Sequence, residues 1–445
     1  MKPNFTIFCW LISGLVMILS PASLQAQLKD KGNYGKTPDE LFPFANFQEP
    51  YKRHFVYPPQ QYLGPNREKP EPVGLKEVRI GFLGPLEGSP IVDYGIQMVN
   101  GMQMAIDEAN ASGGYKGIPY KAMLHNDVGL WGASANEVVK MDDEGVWAII
   151  GSIDDIVTHV AIRVALKLEI PVVNVGDPDP TLTETNIPWV LRVIGDDRQS
   201  SYALATYMYQ EMDLKRVAVL RVNNRYGRVG TGELKDASER MGRPVLFELR
   251  FADGDTDFTD QLENIRKSTA DAVALWGNPR ELGMIVKKMR EMGMKHPVFV
   301  CDRAVNPKFI EYAGKENAEG IVTSCQYLPD MNNPVYRKFH DNYVEKYNMK
   351  PDVFAAHAYD GTNIVINSIR KAGLNRAKIR DLLLDLETYQ GYQGVTGKLE
   401  IDPSWNDVGE IWLVKIENGE FKYYPKPEFK SEKMQTNAAR VPLKN

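Results

Sequence analysis

The chain has 445 residues, of which 43% are hydrophobic and 25% charged, and its formal net charge is −5. This length exceeds one ordinary hydrophobic core, so we expect two lobes or domains, and the composition excludes a disordered or collagen-like chain. Three cysteines are too few for a disulfide scaffold, and the mild acidity argues against a broad nucleic-acid-binding surface.

Residues 1–26 have the pattern of a secretory signal peptide. Lys2 precedes an apolar run at 7–19, and small residues before Ala26 resemble a cleavage site. The run is too short to span a membrane, and no later run approaches the ~20 residues that a span requires. We therefore expect an exported, soluble, periplasmic protein.

Residues 27–75 form a separate zone in which prolines alternate with aromatic residues. No helical or strand period emerges, and the prolines prevent a long helix or a central strand. Three interpretations stay open: an extended arm packed on the body, a docking arm for a partner, and plain disorder. Residues 425–445 are a polar tail that we expect to fray.

From Val78 onward, apolar strands alternate with amphipathic helices, which is typical of a parallel sheet covered on both faces. Strands are predicted at 78–83, 120–125, 146–150, 171–175 and 189–193, then at 217–222, 245–251, 272–276 and 298–301. Helices are predicted between them at 94–111, 133–144, 156–168, 199–212, 229–241, 257–267 and 280–292. The two runs predict an α/β protein of two doubly wound lobes.

The last part of the chain departs from this alternation. It is predicted to contain a strand at 320–327, helices at 333–347, 353–372 and 376–386, and short strands at 395–401 and 410–417. These elements do not make a third domain, so we expect them to return to the two lobes already built.

The sequence contains no recognisable catalytic signature. GxSxG, GxxxxGK[ST] and HExxH motifs are missing, and the six histidines show no metal-ligand spacing. The glycines at 227–232 follow the order GxxGxG, which is not the dinucleotide-binding order. We therefore predict a binding protein that is not an enzyme and that needs no cofactor or metal.

The loops after the strands are rich in carboxylates and aromatic residues. In open α/β sheets ligands bind outside the carboxyl ends of the strands, so these loops are the candidate site. They or the nearby strand ends carry Tyr94, Ser152, Asp155, Asp177, Tyr226, Trp276 and Asp302. Two simpler interpretations stay open: Asp155 as a helix N-cap, and residues 177–180 as a turn.

Short segments between residues 76 and 424 carry a family resemblance. They include 78–88, 100–110, 149–152, 170–173, 224–227, 354–361 and 394–397, in order and at sensible spacing. Together they resemble the leucine/isoleucine/valine-binding-protein family, the type I periplasmic solute receptors of ABC transporters.

The resemblance implies two Rossmann-like lobes joined by three crossover segments, with the ligand in the cleft between them. Carried onto this chain, lobe 1 is 76–195 plus 327–390, and lobe 2 is 196–326 plus 391–424. It further implies a monomer that closes on a small molecule by hinge motion and delivers it to an ABC permease. A sensor that signals to a membrane receptor is the alternative, and an exported hydrolase is a third, for which no nucleophile–base pair is found.

The resemblance also assigns roles in the cleft. Tyr94 and Tyr226 match the aromatic residues that cover the ligand. Residues 151–155 match the loop whose hydroxyl groups hold an amino-acid carboxylate, and Ser152 lies in it. Asp302 falls on the acidic position that pairs with the ligand ammonium.

Two departures from the family pattern change the expected ligand. Asp155 stands where a serine is expected, and Asp177-Pro178 stands where Ala-Thr is expected. Two ionised carboxylates would repel a docking carboxylate. With Trp276 and Trp131 nearby, the site favours a cationic or amine-bearing ligand; an amino acid, and an aromatic acid, amide or metal ion, stay as alternatives.

Cys301 and Cys325 remain after removal of the signal peptide, and both lie near predicted strand ends. A disulfide between them is one alternative in an oxidising compartment.

Overall fold

The computed structural model describes residues 37–38, 41–42 and 64–428, which form two α/β lobes. The first lobe has a five-stranded parallel sheet. In spatial order its strands are Tyr120–Asn126, Val78–Gly84, Ile149–Gly151, Val172–Asn174 and Val190–Arg192. The last three strands are buried at every residue, as expected of apolar strands that helices cover on both faces.

The second lobe has a seven-stranded sheet. In spatial order its strands are Glu420–Pro425, Trp412–Glu417, Val322–Cys325, Val298–Val300, Ala272–Trp276, Val217–Val222 and Phe247–Phe251. Pairing is parallel except along Trp412–Glu417, which is antiparallel to both neighbours. In each sheet the first strand lies between the second and the third, so both lobes are doubly wound, as predicted, with a switch point beside the first strand.

Helices flank both sheets. In the first lobe they are Val92–Ala111, Trp131–Asp143, Asp155–Leu168, Thr181–Glu184, Pro334–Tyr347, Val353–Ala372 and Arg376–Leu384. In the second they are Asp197–Thr206, Arg225–Arg240, Thr259–Lys267, Pro279–Glu291, Pro307–Ala313 and Lys315–Ala318. The helices Thr181–Glu184, Pro307–Ala313 and Lys315–Ala318 were not predicted, because such short helices show little periodicity. The strand Glu420–Pro425 was not predicted either; it is an edge strand with no fully buried residue.

The end of the chain contributes to both lobes. Helix Val353–Ala372 packs in the same apolar cluster as strand Val78–Gly84, while Trp412–Glu417 extends the second sheet. Residues 395–405, which the prediction assigned to the second lobe, contribute four side chains to the core of the first. The Trp405 carbonyl also accepts a hydrogen bond from the amide of Arg192, which satisfies part of an otherwise open sheet edge.

Helices Val92–Ala111 and Val353–Ala372 approach each other closely at Gly101. A Cβ atom added to Gly101 would lie 2.0 Å from the carbonyl oxygen of Ala355. The glycine therefore allows the two backbones to touch, and any side chain there must push the helices apart.

We expect Gly101→Ala to lower the free energy of unfolding by about 1–3 kcal/mol, because a backbone oxygen cannot move away as a flexible side chain can. The gain in helix propensity, about 1 kcal/mol, is smaller. Gly232→Ala is the matched control, since this helical glycine has no atom within 4 Å of an added Cβ. Thermal denaturation should show a loss for the first variant and no loss for the second; equal midpoints would contradict the close approach.

Three pieces of the predicted N-terminal arm lie within the described residues, at 37–38, 41–42 and 64–75. In the third piece, three backbone carbonyls accept hydrogen bonds from Asn375 Nδ2 of the first lobe. The first two pieces contact the connection between the lobes. The Thr37 hydroxyl donates to Asp402 Oδ2 at 2.7 Å, and the Leu41 carbonyl accepts from Arg198 Nη1 at 3.3 Å. Thr37 and Leu41 are buried, so these pieces pack on the body. The predicted signal peptide, most of the arm and the tail after residue 428 lie outside the described residues.

Arg198 ties the two lobes together at this connection. Its guanidinium donates to Glu184 of the first lobe and to Glu233 of the second, at 2.5 and 2.8 Å. The Arg198 side chain is 5% exposed. A buried arginine with two carboxylate partners satisfies more of its donors than a surface ion pair would.

Cys301 and Cys325 are both free and buried, so the disulfide alternative is not realised. Burial raises the pKa of each thiol to about 12. Of the helices in the described ranges, none combines the length and the apolar character that crossing a membrane demands.

Candidate functional site

Segments that follow the carboxyl ends of parallel strands in both sheets meet between the lobes. The Tyr94 hydroxyl of the first lobe donates to the backbone carbonyl of Arg303 in the second, at 3.1 Å. Arg303 Nη2 in turn donates to the carbonyl of Ile153 in the first lobe, at 3.3 Å. The predicted site loops of the two lobes therefore face each other in direct contact.

Tyr94 and Tyr226 are both buried at this contact, each 4% exposed. Tyr94 lies in the first turn of its helix, and its ring packs on Phe354 with centroids 4.7 Å apart. Tyr226 lies at the start of helix Arg225–Arg240, where Asn224 caps the helix by accepting from the Gly227 amide. The two rings that the sequence assigned to opposite sides of the cleft are thus held by separate lobes.

Asp155 is buried, 2% exposed, at the first position of its helix. The N-cap is the preceding Asp154, whose carboxylate accepts from the Ile156 and Val157 amides, so the interpretation of Asp155 as the cap is wrong. Neither oxygen of Asp155 has a hydrogen-bonding partner among the described residues. Burial, and next the charge of Asp177, hold the pKa of Asp155 well above its usual range.

Asp197 repeats this arrangement on the other side of the cleft. Asp196 caps helix Asp197–Thr206 through a capping box with Gln199, and Asp197 follows as a fully buried side chain. Within the described part of the chain, both of its oxygens lack a hydrogen-bonding partner. Burial, then the charges of Asp302 and Asp155, raise its pKa strongly. Sequence reasoning missed Asp197, although the Asp-Asp pair ahead of a helix is the signal that it shares with Asp154-Asp155.

Asp177 and Asp179 have different roles despite their proximity. Asp177 Oδ1 accepts from the Asp179 amide at 2.9 Å, which is the predicted turn, while Oδ2 has no partner among residues 64–428 or the arm pieces. Burial, and then Asp179, raise the pKa of Asp177 to about 6. Asp179 is paired with His159 and Arg225; although burial opposes it, these two groups hold its pKa well below the usual range.

Asp302 accepts hydrogen bonds from two neutral donors. The Tyr226 hydroxyl lies 3.0 Å from Oδ1, and Gln326 Nε2 lies 2.6 Å from Oδ2. Asp302 is 7% exposed. These two hydrogen bonds fix the orientation of the carboxyl group, and neither brings a positive charge to it.

The other predicted residues divide between the interior and the surface. Ser152 is buried and donates to Asp127 Oδ2 at 2.6 Å, so its hydroxyl hydrogen is already used. Trp276 is buried, and its indole nitrogen lies 2.0 Å from where a Cβ of Gly230 would be, beside Asp197. Trp131 is 65% exposed at the start of its helix, so the structure does not bring it into the buried group.

Arg303 is the second residue that sequence reasoning missed. Its guanidinium lies 3.6 Å from the ring centroid of Tyr226, in cation–π geometry, and Nη1 donates to Asn278 Oδ1 at 3.0 Å. It is 6% exposed. Its place directly after Asp302 was the available signal.

The buried group combines several carboxylates with a smaller number of guanidinium groups. Arg303 acts electrostatically on Asp155, Asp197 and Asp302. Asp177 lies instead in the field of Arg192 and Arg225. Within residues 64–428 and the first two arm pieces, no group of three or more His, Cys, Asp and Glu side chains is placed to hold a metal ion. The arrangement can attract an organic cation, which combines positive charge with a surface that stacks on tyrosine.

A family model described as periplasmic binding protein matches residues 77–420. The chain belongs to the periplasmic binding protein family.

Other periplasmic binding proteins resemble the chain over most of its length. A Leu/Ile/Val-binding protein of Rhizobium johnstonii is 25% identical over 68% of this chain and 81% of its own length. The structure of a branched-chain amino acid transporter substrate-binding protein of Streptococcus pneumoniae in complex with isoleucine covers 79% of this chain and 100% of its own, with 24% identity and a TM-score of 0.71. A benzoate complex of a solute-binding protein of R. palustris covers 78% and 96%, with 17% identity and a TM-score of 0.70.

These likenesses confirm the predicted family and the two-lobed fold of type I periplasmic binding proteins. The two solved structures are of substrate- or solute-binding proteins of transporters, one in complex with isoleucine and the other with benzoate. The periplasmic binding protein fold therefore accommodates chemically different ligands, so the ligand of this chain has to be argued from its own side chains.

Proposed function

We propose that this protein is an exported, periplasmic receptor that captures a small molecule bearing a protonated amine in the cleft and delivers it to an ABC permease. It acts as a monomer and catalyses no reaction. Contacts from both lobes stabilise the closed state, and the permease recognises that state.

The observation that carries the proposal is the pair Asp155 and Asp197. Each is more than nine-tenths buried, each comes from a different lobe, and none of their four oxygens has a partner among the described residues. Burying an ionised carboxylate without a partner is strongly unfavourable. A ligand ammonium group would supply both the opposite charge and the hydrogen-bond donors that these carboxylates lack. Relief of their unfavourable burial would then contribute to the free energy of ligand binding.

The same residues disfavour an anionic ligand. Two unit charges 4 Å apart interact by about 4 kcal/mol at an effective dielectric constant of 20, so carboxylates of both lobes oppose the entry of an anion when they are ionised. Ser152, in the loop that resembles a carboxylate-binding loop, already donates to Asp127. We therefore favour an amine, including an amino acid held through its ammonium group, over an aromatic acid such as benzoate.

A thermal-shift screen tests this proposal. A linear diamine, a quaternary amine, leucine, isoleucine and benzoate are compared on the full chain. A ligand at 100 times its Kd should stabilise the protein by about 2.7 kcal/mol. We expect amines to raise the melting temperature and benzoate to leave it unchanged; a response to benzoate alone would refute the amine site.

The pH dependence gives an independent check on the same ligands. Protons compete with an ammonium for the carboxylates, and the pKa of Asp177 is about 6. Amine affinity should therefore rise between pH 5 and pH 7.5, and fall again only when the ligand amine loses its own proton. Affinity that falls over this interval would indicate an anionic ligand instead.

A further inference from the structure

The Arg303 side chain lies between the lobes, in contact with Tyr226. Its guanidinium stacks on Tyr226 at 3.6 Å, and its backbone carbonyl accepts from Tyr94. These are the two residues that the family resemblance assigns to covering the ligand. At 6% exposure the charge is enclosed by the cleft rather than directed to solvent.

The hydrogen bonds of Arg303 connect the lobes through neutral acceptors. Nη1 donates to Asn278 Oδ1 within its own lobe, and Nη2 donates to the carbonyl of Ile153 in the other. Asp155 and Asp302 act on the guanidinium electrostatically, and Arg303 does the same for Asp197. Arg303 thus lies in the field of the same carboxylates that we propose attract a ligand amine.

We propose that Arg303 is an internal substitute for the ligand cation: its guanidinium holds the amine position and links the lobes until a cationic ligand displaces it. The proposal rests on the amine-binding function proposed above. A cationic ligand and the Arg303 guanidinium would both stack on the Tyr226 ring and interact with the same carboxylates, and two cations placed side by side repel each other. The ligand and Arg303 therefore compete for the site beside Tyr226.

Displacement makes Arg303 a specificity-determining residue. A ligand gains affinity only to the extent that it satisfies the carboxylates better than the guanidinium already does. A cation that interacts with the carboxylates less favourably than the guanidinium does cannot displace it. The measured affinity of every ligand is also reduced, because only the fraction of molecules in which Arg303 has left the site can bind it.

Isothermal titration with a linear diamine tests the competition. We expect Arg303→Met to bind the diamine at least ten times more tightly than the unaltered protein, which corresponds to 1.4 kcal/mol. Arg303→Lys, which keeps the charge, should bind it within a few-fold of the unaltered protein. Binding that is ten times weaker in Arg303→Met would overturn the proposal, because it would mean that Arg303 holds part of the ligand.

A second measurement needs no natural ligand, so it separates failure of this inference from failure of the amine-binding function. Ethylguanidinium should raise the melting temperature of Arg303→Ala by several degrees and leave the unaltered protein unchanged, whereas its neutral analogue ethylurea should affect neither. Equal responses to the two compounds would refute the proposal even if amines bind the unaltered protein.

Arg280→Ala is the matched control for these variants, because Arg280 is an exposed arginine of the same lobe. It should show the diamine affinity of the unaltered protein and no response to ethylguanidinium. Far-UV circular dichroism confirms that each variant is folded before its binding is compared.

Discussion

Asp197→Asn is expected to weaken amine binding by about 10- to 150-fold, the effect of losing a hydrogen bond to a charged group worth 1.5–3 kcal/mol. The same substitution should raise the stability of the unliganded protein. Burial is the largest influence on the pKa of Asp197, and the next largest, the charges of Asp302 and Asp155, also disfavour its ionised form. Removing the charge relieves both effects, so binding and stability should change in opposite directions.

The pH dependence fixes the sign of the stability change. The pKa of Asp197 is raised in the folded state, so folding takes up a proton, and stability falls as pH rises from the unfolded value near 4. Asparagine does not titrate. The gain in melting temperature should therefore be largest near pH 7.5 and vanish near pH 4.

Asp155→Asn should also weaken amine binding and raise stability, because both oxygens of Asp155 are buried without a hydrogen-bonding partner among the described residues. Asp154→Asn is the control: it removes a neighbouring charge, but asparagine caps a helix as well as aspartate does. Calorimetric titration and thermal denaturation of the three variants measure both effects. A stability loss in Asp197→Asn, or equal affinity loss in the control, would show that the carboxylates are structural.

Arg198→Met is expected to lower the free energy of unfolding by about 3–5 kcal/mol, the usual result of removing one partner of a buried ion pair. Glu184 and Glu233 would keep their buried positions without a counter-charge. Burial already raises the pKa of Glu233 to about 7, against the opposing effect of Arg198, so the loss of that guanidinium leaves the carboxylate still less favourable.

A triple variant distinguishes the two causes of the stability loss, which are the unpaired carboxylates and the lost packing of the Arg198 side chain. Arg198→Met combined with Glu184→Gln and Glu233→Gln should recover most of the lost stability. In the single variant the glutamates take up protons in the folded state, so its deficit should shrink when the pH is lowered from 7.5 to 5. A deficit that is independent of pH and persists in the triple variant would assign the loss to packing instead.

Much of the fold follows from the sequence because buried parallel strands and amphipathic helices leave strong patterns. Strands Val217–Val222 and Ala272–Trp276 and helix Val353–Ala372 have the predicted bounds. The packing of residues 395–405 on the first lobe could not be predicted from such patterns. It depends on which sheet edge the segment meets, and no local period encodes that choice.

The candidate site was predictable only in outline. Loop position and carboxylate content indicate Asp155 and Asp302, because both follow strand ends. Asp197 follows the segment that passes from the first lobe to the second, not a strand of the second sheet. It lies near Asp155 and Asp302 only because the two lobes contact each other there. Arg303 was hidden for a related reason: a sequence does not show whether an arginine beside an aspartate turns to solvent or into the cleft.

The interleaved topology also constrains when the protein can fold. The core of the first lobe includes helix Val353–Ala372. In the sequence, however, all the parallel strands of the second sheet come between the strands of the first sheet and this helix. The hydrogen bond from Thr37 to Asp402 closes a separation of 365 residues. Contacts between such distant positions form late and slow the search for the native state. A chain that ends before helix Val353–Ala372 therefore lacks part of the first core, and one that ends before strand Trp412–Glu417 also lacks part of the second.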